Sequence, residues 1–188
     1  MELRQMTCPC SQPTPCCNSG CWLIIRWKSL RPAHSRCTKK PGQVDMAHPE
    51  PAQKDRYALF YDVPTRWADN DIYGHANNVV YYAWFDTVVN QFLIERGGMR
   101  PGHDPVVGYV VASSCDYFAP VSYPESLELG LRIERLGVKS VSWELGVFSA
   151  SDNTTRAIGR FTHAFVDQAS GQSAAIPLGI RVALEALL

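Results

Sequence analysis

The segment "VVYYAWFDTVVNQFLIERGG", Val79 to Gly98, constrains the fold more than any other part of the chain. Tyr81, Trp84, Phe85, Val88, Phe92 and Leu93 recur at helical spacing, and Gly97 and Gly98 supply the stop. Val80, Tyr82 and Val89 fall off that stripe, so the helix is apolar on nearly every face and must be wrapped by something. The rest of the chain offers mostly strands. "YALFYDVPTRW", Tyr57 to Trp67, is β-prone, and Pro64, which has no amide for a ladder, marks an edge or a bulge. "VVGYVVASSCDYFAPV" predicts a second strand from Val106 to Val121. Leu127, Leu129, Leu131 and Ile133 then alternate with Glu128, Arg132 and Glu134, a period of two with one wet face. After the short "GVKS" turn, Val141, Trp143, Leu145 and Val147 alternate in the same way, and "SDN" leads into "TTRAIGRFTHAFVD". Three consecutive strands on short turns make an antiparallel meander. "IPLGIRVALEALL" closes as a short amphipathic helix with Pro177 early in it. This is an α+β pattern: a five-stranded antiparallel sheet with one apolar face buries that face by curling around the long central helix.

Two kinds of sequence are joined in the 188 residues. Residues 1–45 carry seven Lys or Arg against Glu2 and Asp45, and the remainder is correspondingly acidic, because the whole chain has zero formal net charge. Cys8, Cys10, Cys16, Cys17, Cys21 and Cys37 all lie in this leader, and only Cys115 lies beyond it. The leader's spacings lack the paired CxxC of a zinc ribbon, no histidine follows at ligand spacing, and no apolar period offers a fold around a metal. Residues 1–45 therefore read as a disordered or non-native leader, residues 46–56 as a polar, proline-bearing linker, and residues 57–188 as the working domain. Met46 is a plausible translation start. "CWLII" falls short of a secretory h-region, and no stretch reaches the roughly eighteen apolar residues of a membrane span, so a cytoplasmic, soluble protein is the expectation. Zero net charge gives no reason to expect nucleic acid, and no membrane partner is expected.

Short polar groups crowd against the start of the apolar helix in "ADNDIYGHANNVVYYAWFD". Asp and Asn at that position are preferred helix caps, and a D-x-D in a turn commonly makes only local hydrogen bonds. The other reading is an active site built on the cap. Asp69, Asn70 and Asp71, with Gly74, His75, Asn77, Asn78 and Tyr81 after them, form the pattern aromatic-x-D-x-D-x-x-G-H-x-N-N-x-x-Y. From about Tyr57 onward, this motif, "RLGVKSVSWE", "GRFTHAFVD" and "IPLGIRVALEAL", in that order, resemble the hotdog-fold acyl-CoA thioesterases, in particular the subgroup related to 4-hydroxybenzoyl-CoA thioesterase. The leader lies outside the resemblance.

The resemblance implies hydrolysis of an acyl-CoA thioester to free acid and CoA. Such a reaction needs an attacking water or carboxylate and positive partial charge where the oxyanion develops. A helix N-terminus supplies the second through its unpaired amides. In the family the catalytic carboxylate is the second aspartate of the D-x-D, which carries over to Asp71, as general base or as nucleophile through a mixed anhydride. The amide that opens the central helix, carried over to Asn78, is the oxyanion donor. His75 is a candidate for orienting Asp71 or binding substrate, Gly74 for letting the backbone turn beside the substrate, and Asn77 and Tyr81 for lining the site. The resemblance also places the "GVKS" turn near the nucleotide, which makes Arg135, Lys139 and Ser140 candidates for the CoA phosphates.

Asp69 reads as a brace for the loop, Cys115 as a small buried hydrophobe and His163 as a core histidine beside Phe161 and Phe165. No metal and no organic cofactor is expected in residues 57–188. The expected partners are acyl-CoA and a second copy of the chain, since edge-to-edge pairing into a homodimer or homotetramer would protect a sheet edge and create a cleft. Two alternatives remain open at this point. A hotdog hydratase or dehydratase would act on enoyl thioesters, but its D-x-N-x-x-H pattern is absent. The other is a non-catalytic acyl-binding or regulatory domain on the same fold; the intact Asp71 argues for activity, and an assay decides.

Overall fold

The computed structural model describes residues 50–188. The cysteine-rich leader, the proposed start at Met46 and the first part of the linker lie outside the described residues. Strand β1 (Leu59–Pro64) precedes helix α1 (Asn78–Glu95), followed by β2 (Val106–Tyr117), β3 (Ser126–Leu136), β4 (Ser140–Ser149), β5 (Thr155–Asp167) and helix α2 (Leu178–Glu185). Two 3-10 turns, Lys54–Arg56 and Trp67–Asp69, flank β1. The five strands form one antiparallel sheet in the order β1-β3-β4-β5-β2, with the meander at its centre. This is the hotdog fold. Pro64 ends edge strand β1 opposite Ser126, where a missing amide interrupts no ladder. The second strand stops at Tyr117 rather than Val121, because Pro120 has no donor and the amides of Phe118 and Ala119 both turn to the Arg156 carbonyl.

Helix α1 buries Tyr81, Trp84, Phe85, Val88, Val89, Phe92 and Leu93 against the inward residues of the sheet. Those residues follow the expected period of two: Leu127, Leu129, Leu131, Val141, Trp143, Leu145 and Val147 are all 1 % exposed or less. Each large apolar side chain so buried contributes roughly 1.5–3 kcal/mol relative to exposure. The approach is close: a Cβ at Gly159 of β5 would run into the Phe85 ring. One sheet covers one side of the helix only, so Val79 stays 65 % exposed and Ile94 43 % exposed. Along the β2 edge, Tyr109, Val110 and Val111 are exposed as well.

The outer face of the sheet is less wet than alternation predicts. Glu144 on β4 is 3 % exposed, accepting from the Tyr57 hydroxyl at 3.1 Å and pairing with Arg132 at 3.3 Å. Tyr57, Phe148, Ile158 and Ala52 form a second apolar cluster there. The packing reaches back to Ala52, ahead of Tyr57, and the Ala52 carbonyl accepts from Thr155 Oγ1 at 2.7 Å. Among the described residues, no helix is long and apolar enough to cross a membrane.

Candidate active site

The polar stretch before α1 folds back on itself. The Asp71 amide donates to the His75 carbonyl at 2.9 Å, the Gly74 amide donates to the Asp71 carbonyl at 3.0 Å, and Asn70 and Ala76 form an antiparallel bridge. Gly74 has φ +80 with nothing near a hypothetical Cβ, so glycine is required by the backbone conformation, not by crowding within the chain. The base of the loop is held by Asp69. This side chain is 1 % exposed, with Oδ1 receiving the Arg66 guanidinium at 2.9 and 3.1 Å and Oδ2 the Arg66 amide at 2.7 Å. The Asp69 carbonyl also accepts from the Asn77 amide at 2.9 Å, which ties the first residue of the turn to the helix cap. Two further bonds dock the loop on the β2–β3 connection: the Ala76 amide donates to the Val121 carbonyl at 2.7 Å and the Tyr123 amide to Asn70 Oδ1 at 3.1 Å.

Within this frame Asp71 is half-buried, and its Oδ1 accepts from the Tyr73 amide at 2.8 Å. That is the local Asx-type bond of the structural reading, yet it occupies one carboxylate oxygen; among the described residues no hydrogen bond takes the other. Asn77 caps α1, its Oδ1 accepting from the Val79 amide at 3.1 Å, while its carbonyl accepts from the Val80 amide at 2.9 Å. The cap satisfies the second and third amides of the helix and leaves the first, on Asn78, outside these bonds. His75 is exposed, and no hydrogen bond joins its imidazole to Asp71. Tyr81 is 3 % exposed between Trp84 and Tyr117, with ring centroids at 4.9 and 5.0 Å, and burial pushes its phenol up to about 12. It is therefore a wall of the core beside the site.

The remaining candidates lie elsewhere in the subunit. The β3–β4 turn is bound to α2 and to the segment before it: Arg181 Nη2 donates to the Gly137 carbonyl at 2.6 Å, and Lys139 Nζ donates to the Ser173 carbonyl and Oγ at 3.0 Å each. Ile180 of α2 packs on Gly97, at the far end of α1. An 18-residue helix is about 27 Å long, so Arg135, Lys139 and Ser140 are not brought to the Asp71 loop within one chain. Strand β3 shows the same separation, with Ser126 at the loop end and Leu136 at the turn end.

His163 is 3 % exposed beside Trp143 and Phe161, and burial holds its imidazole below the ordinary value while the Asp86 carboxylate opposes that shift. Cys115 is pushed up to about 11 by burial, which keeps it a neutral thiol rather than a nucleophile. Sequence reasoning passed over Tyr117, which ends β2 next to the helix cap with its hydroxyl 3.4 Å from the Asn78 carbonyl oxygen. Period-two spacing places it on the face of Cys115, but nothing local announces the helix end it meets. Among the described residues, no cluster of three or more His, Cys, Asp or Glu is arranged to hold a metal.

A five-stranded antiparallel sheet packed on a long helix, with a carboxylate-bearing loop leading into the N-terminus of that helix, is the architecture of a thioesterase-type hotdog protein. The family model of the thioesterase-like superfamily matches residues 65–184, and the chain belongs to that superfamily. Among solved structures, the PA5185 protein from Pseudomonas aeruginosa strain PAO1 is 52 % identical with a TM-score of 0.71, over 74 % of this chain and 96 % of that one. The PA2801 protein from Pseudomonas aeruginosa is 28 % identical with a TM-score of 0.63, over 66 % of this chain and 96 % of that one. Slr0204, a 1,4-dihydroxy-2-naphthoyl-CoA thioesterase from Synechocystis, shares the fold at 17 % identity and a TM-score of 0.63, over 68 % of this chain and 96 % of that one. The protein is a thioesterase, and thioester hydrolysis is its reaction.

Proposed function

We propose that this thioesterase hydrolyses acyl-CoA, with Asp71 as the base or nucleophile and the Asn78 amide as the oxyanion donor. One observation carries the reading: the bond from the Asn77 amide to the Asp69 carbonyl closes the loop, so that Asp71 lies within the turn that leads directly into the first amide of α1. As base, Asp71 takes a proton from water as the water oxygen bonds to the thioester carbon. Negative charge then gathers on the carbonyl oxygen, where a preorganised amide stabilises it, and collapse expels the CoA thiolate. As nucleophile, the carboxylate itself displaces the thiolate and water then cleaves the anhydride. Label found in Asp71 after a single turnover in oxygen-labelled water identifies the second route, with water attacking the aspartyl carbonyl of the anhydride, since the base route puts the label in the product acid alone.

CoA as the carrier is supported by the 69–81 motif and by the named substrate of the Synechocystis neighbour. The exposed β2 edge supports self-association, two copies pairing along β2 as a homodimer or doubling again to a tetramer. A second subunit would also bring another β3–β4 turn, and with it Arg135, Lys139 and Ser140, within reach of a long ligand. The deciding experiment is release of CoA thiol from a panel of aliphatic and aromatic acyl-CoAs by wild type and Asp71→Asn. Turnover by wild type and its loss in the variant is the expected result. No turnover of any acyl-CoA, or equal rates in both proteins, would overturn the proposal.

A further inference from the structure

We propose that Tyr117 is a positioning residue for the thioester site, holding the first peptide unit of α1 so that the Asn78 amide keeps its direction. The inference rests on the reading of Asp71 and Asn78 given above. The peptide unit between Asn78 and Val79 is held from both sides. Its N–H, on Val79, donates to Asn77 Oδ1 at 3.1 Å, and its carbonyl, on Asn78, faces the Tyr117 hydroxyl at 3.4 Å. With that unit fixed, the Asn78 amide is joined to it only through φ and ψ of Asn78, and the Asn77 amide on its other side is already held by the Asp69 carbonyl.

The Tyr117 ring is seated by an edge-on contact with Tyr81, centroids 5.0 Å apart, and Tyr81 is itself clamped on Trp84. The strand end is set by the pairing of Tyr117 with Ala157. At 3.4 Å the hydroxyl contact is long for an O–H···O bond, so it works through placement more than through strength. Burial, followed by the neighbouring Cys115 thiol, raises the Tyr117 phenol above the ordinary tyrosine range. The group is therefore a protonated donor across the neutral range, and it places no negative charge beside the developing oxyanion. The ring is 47 % exposed, so it borders the space that a substrate must enter.

The test compares wild type, Tyr117→Phe, Tyr117→Leu and Asp71→Asn on the acyl-CoA that wild type turns over fastest, with a thermal melt of each protein. Tyr117→Phe is expected to lower kcat by about 3–10-fold with KM and melting temperature unchanged, because the ring keeps its seat and only the hydroxyl is lost. Tyr117→Leu is expected to lower the melting temperature as well. Wild-type kcat in Tyr117→Phe beside an inactive Asp71→Asn overturns this inference alone. A Tyr117→Phe effect confined to KM, or matched by a fall in melting temperature, overturns it too, by assigning the hydroxyl to substrate contact or to packing. Full activity in Asp71→Asn overturns the underlying reading, and this inference falls with it.

Discussion

The two ends of α1 are built to opposite specifications. At the C-terminal end the chain satisfies its own carbonyls: the Arg96 and Gly97 amides both return to Phe92, and the Met99 amide returns to Leu93, with Gly98 turning the backbone at φ +70. Ile180 then seals that end against Gly97. At the N-terminal end the cap stops one donor short, and the residues around it are left facing outward: Ile72 is 93 % and Tyr73 78 % exposed. A closed end lends rigidity, and an open end lends an unspent dipole. On the proposed reading the difference assigns chemistry to one terminus and stability to the other, and it can be broken by substitutions at each.

The largest expected effect is at the open end. Asp71→Asn should reduce kcat by about 10²–10⁴-fold while leaving the melting temperature near that of wild type, since among the described residues the carboxylate's only bond is to the amide of the exposed Tyr73. The closed end should respond in the reverse sense. Gly97→Val would place a Cβ 3.0 Å from Ile180 Cγ1 and 2.6 Å from the Leu93 carbonyl oxygen, at a cost of about 1–3 kcal/mol in a denaturant titration, with kcat retained below the transition. A kcat loss equal to that of Asp71→Asn would erase the distinction between the ends. Asn77→Ala sits between the two, because the same side chain caps the helix and holds the Val79 amide; it should cost about 1 kcal/mol and also lower kcat. Lys139→Ala should change stability by less than about 0.5 kcal/mol. If the β3–β4 turn serves CoA in an assembled dimer, KM should rise for acyl-CoA but not for an acyl thioester lacking the nucleotide; an equal KM for both substrates would remove the turn from the site.

Much of the fold was legible because its signals are periodic and local. Alternation in residues 127–133 and 141–147 fixed which residues meet the helix, and the apolar run from Tyr81 to Leu93 announced a helix in need of a wrapper. The motif from Asp69 to Tyr81 pointed at the loop and the cap. What escaped notice depends on contacts between distant segments. Glu144 looks like one more solvent-facing residue until Tyr57, far from it in sequence, and Arg132, opposite it on β3, close over it. Tyr117 looks like the end of a strand until β2 is laid beside the first turn of α1. The separation of Lys139 from Asp71 follows from the direction in which β3 runs, which no residue pattern states.

Asp69 gives the loop an uneven compliance. With Arg66 on its carboxylate and Asn77 on its carbonyl, residue 69 works like the fixed jaw of a clamp, and the Asn70–Ala76 bridge tightens the throat above it. Asp71 lies beyond that throat and is tied to the tip: its carboxylate accepts from the Tyr73 amide, its carbonyl accepts from the Gly74 amide, and its own amide donates to the His75 carbonyl. A substrate that presses on the exposed Ile72 and Tyr73 therefore pushes on the Asp71 carboxylate as well, through the Tyr73 amide. The shape of the tip and the direction of the Asp71 carboxylate are thus coupled.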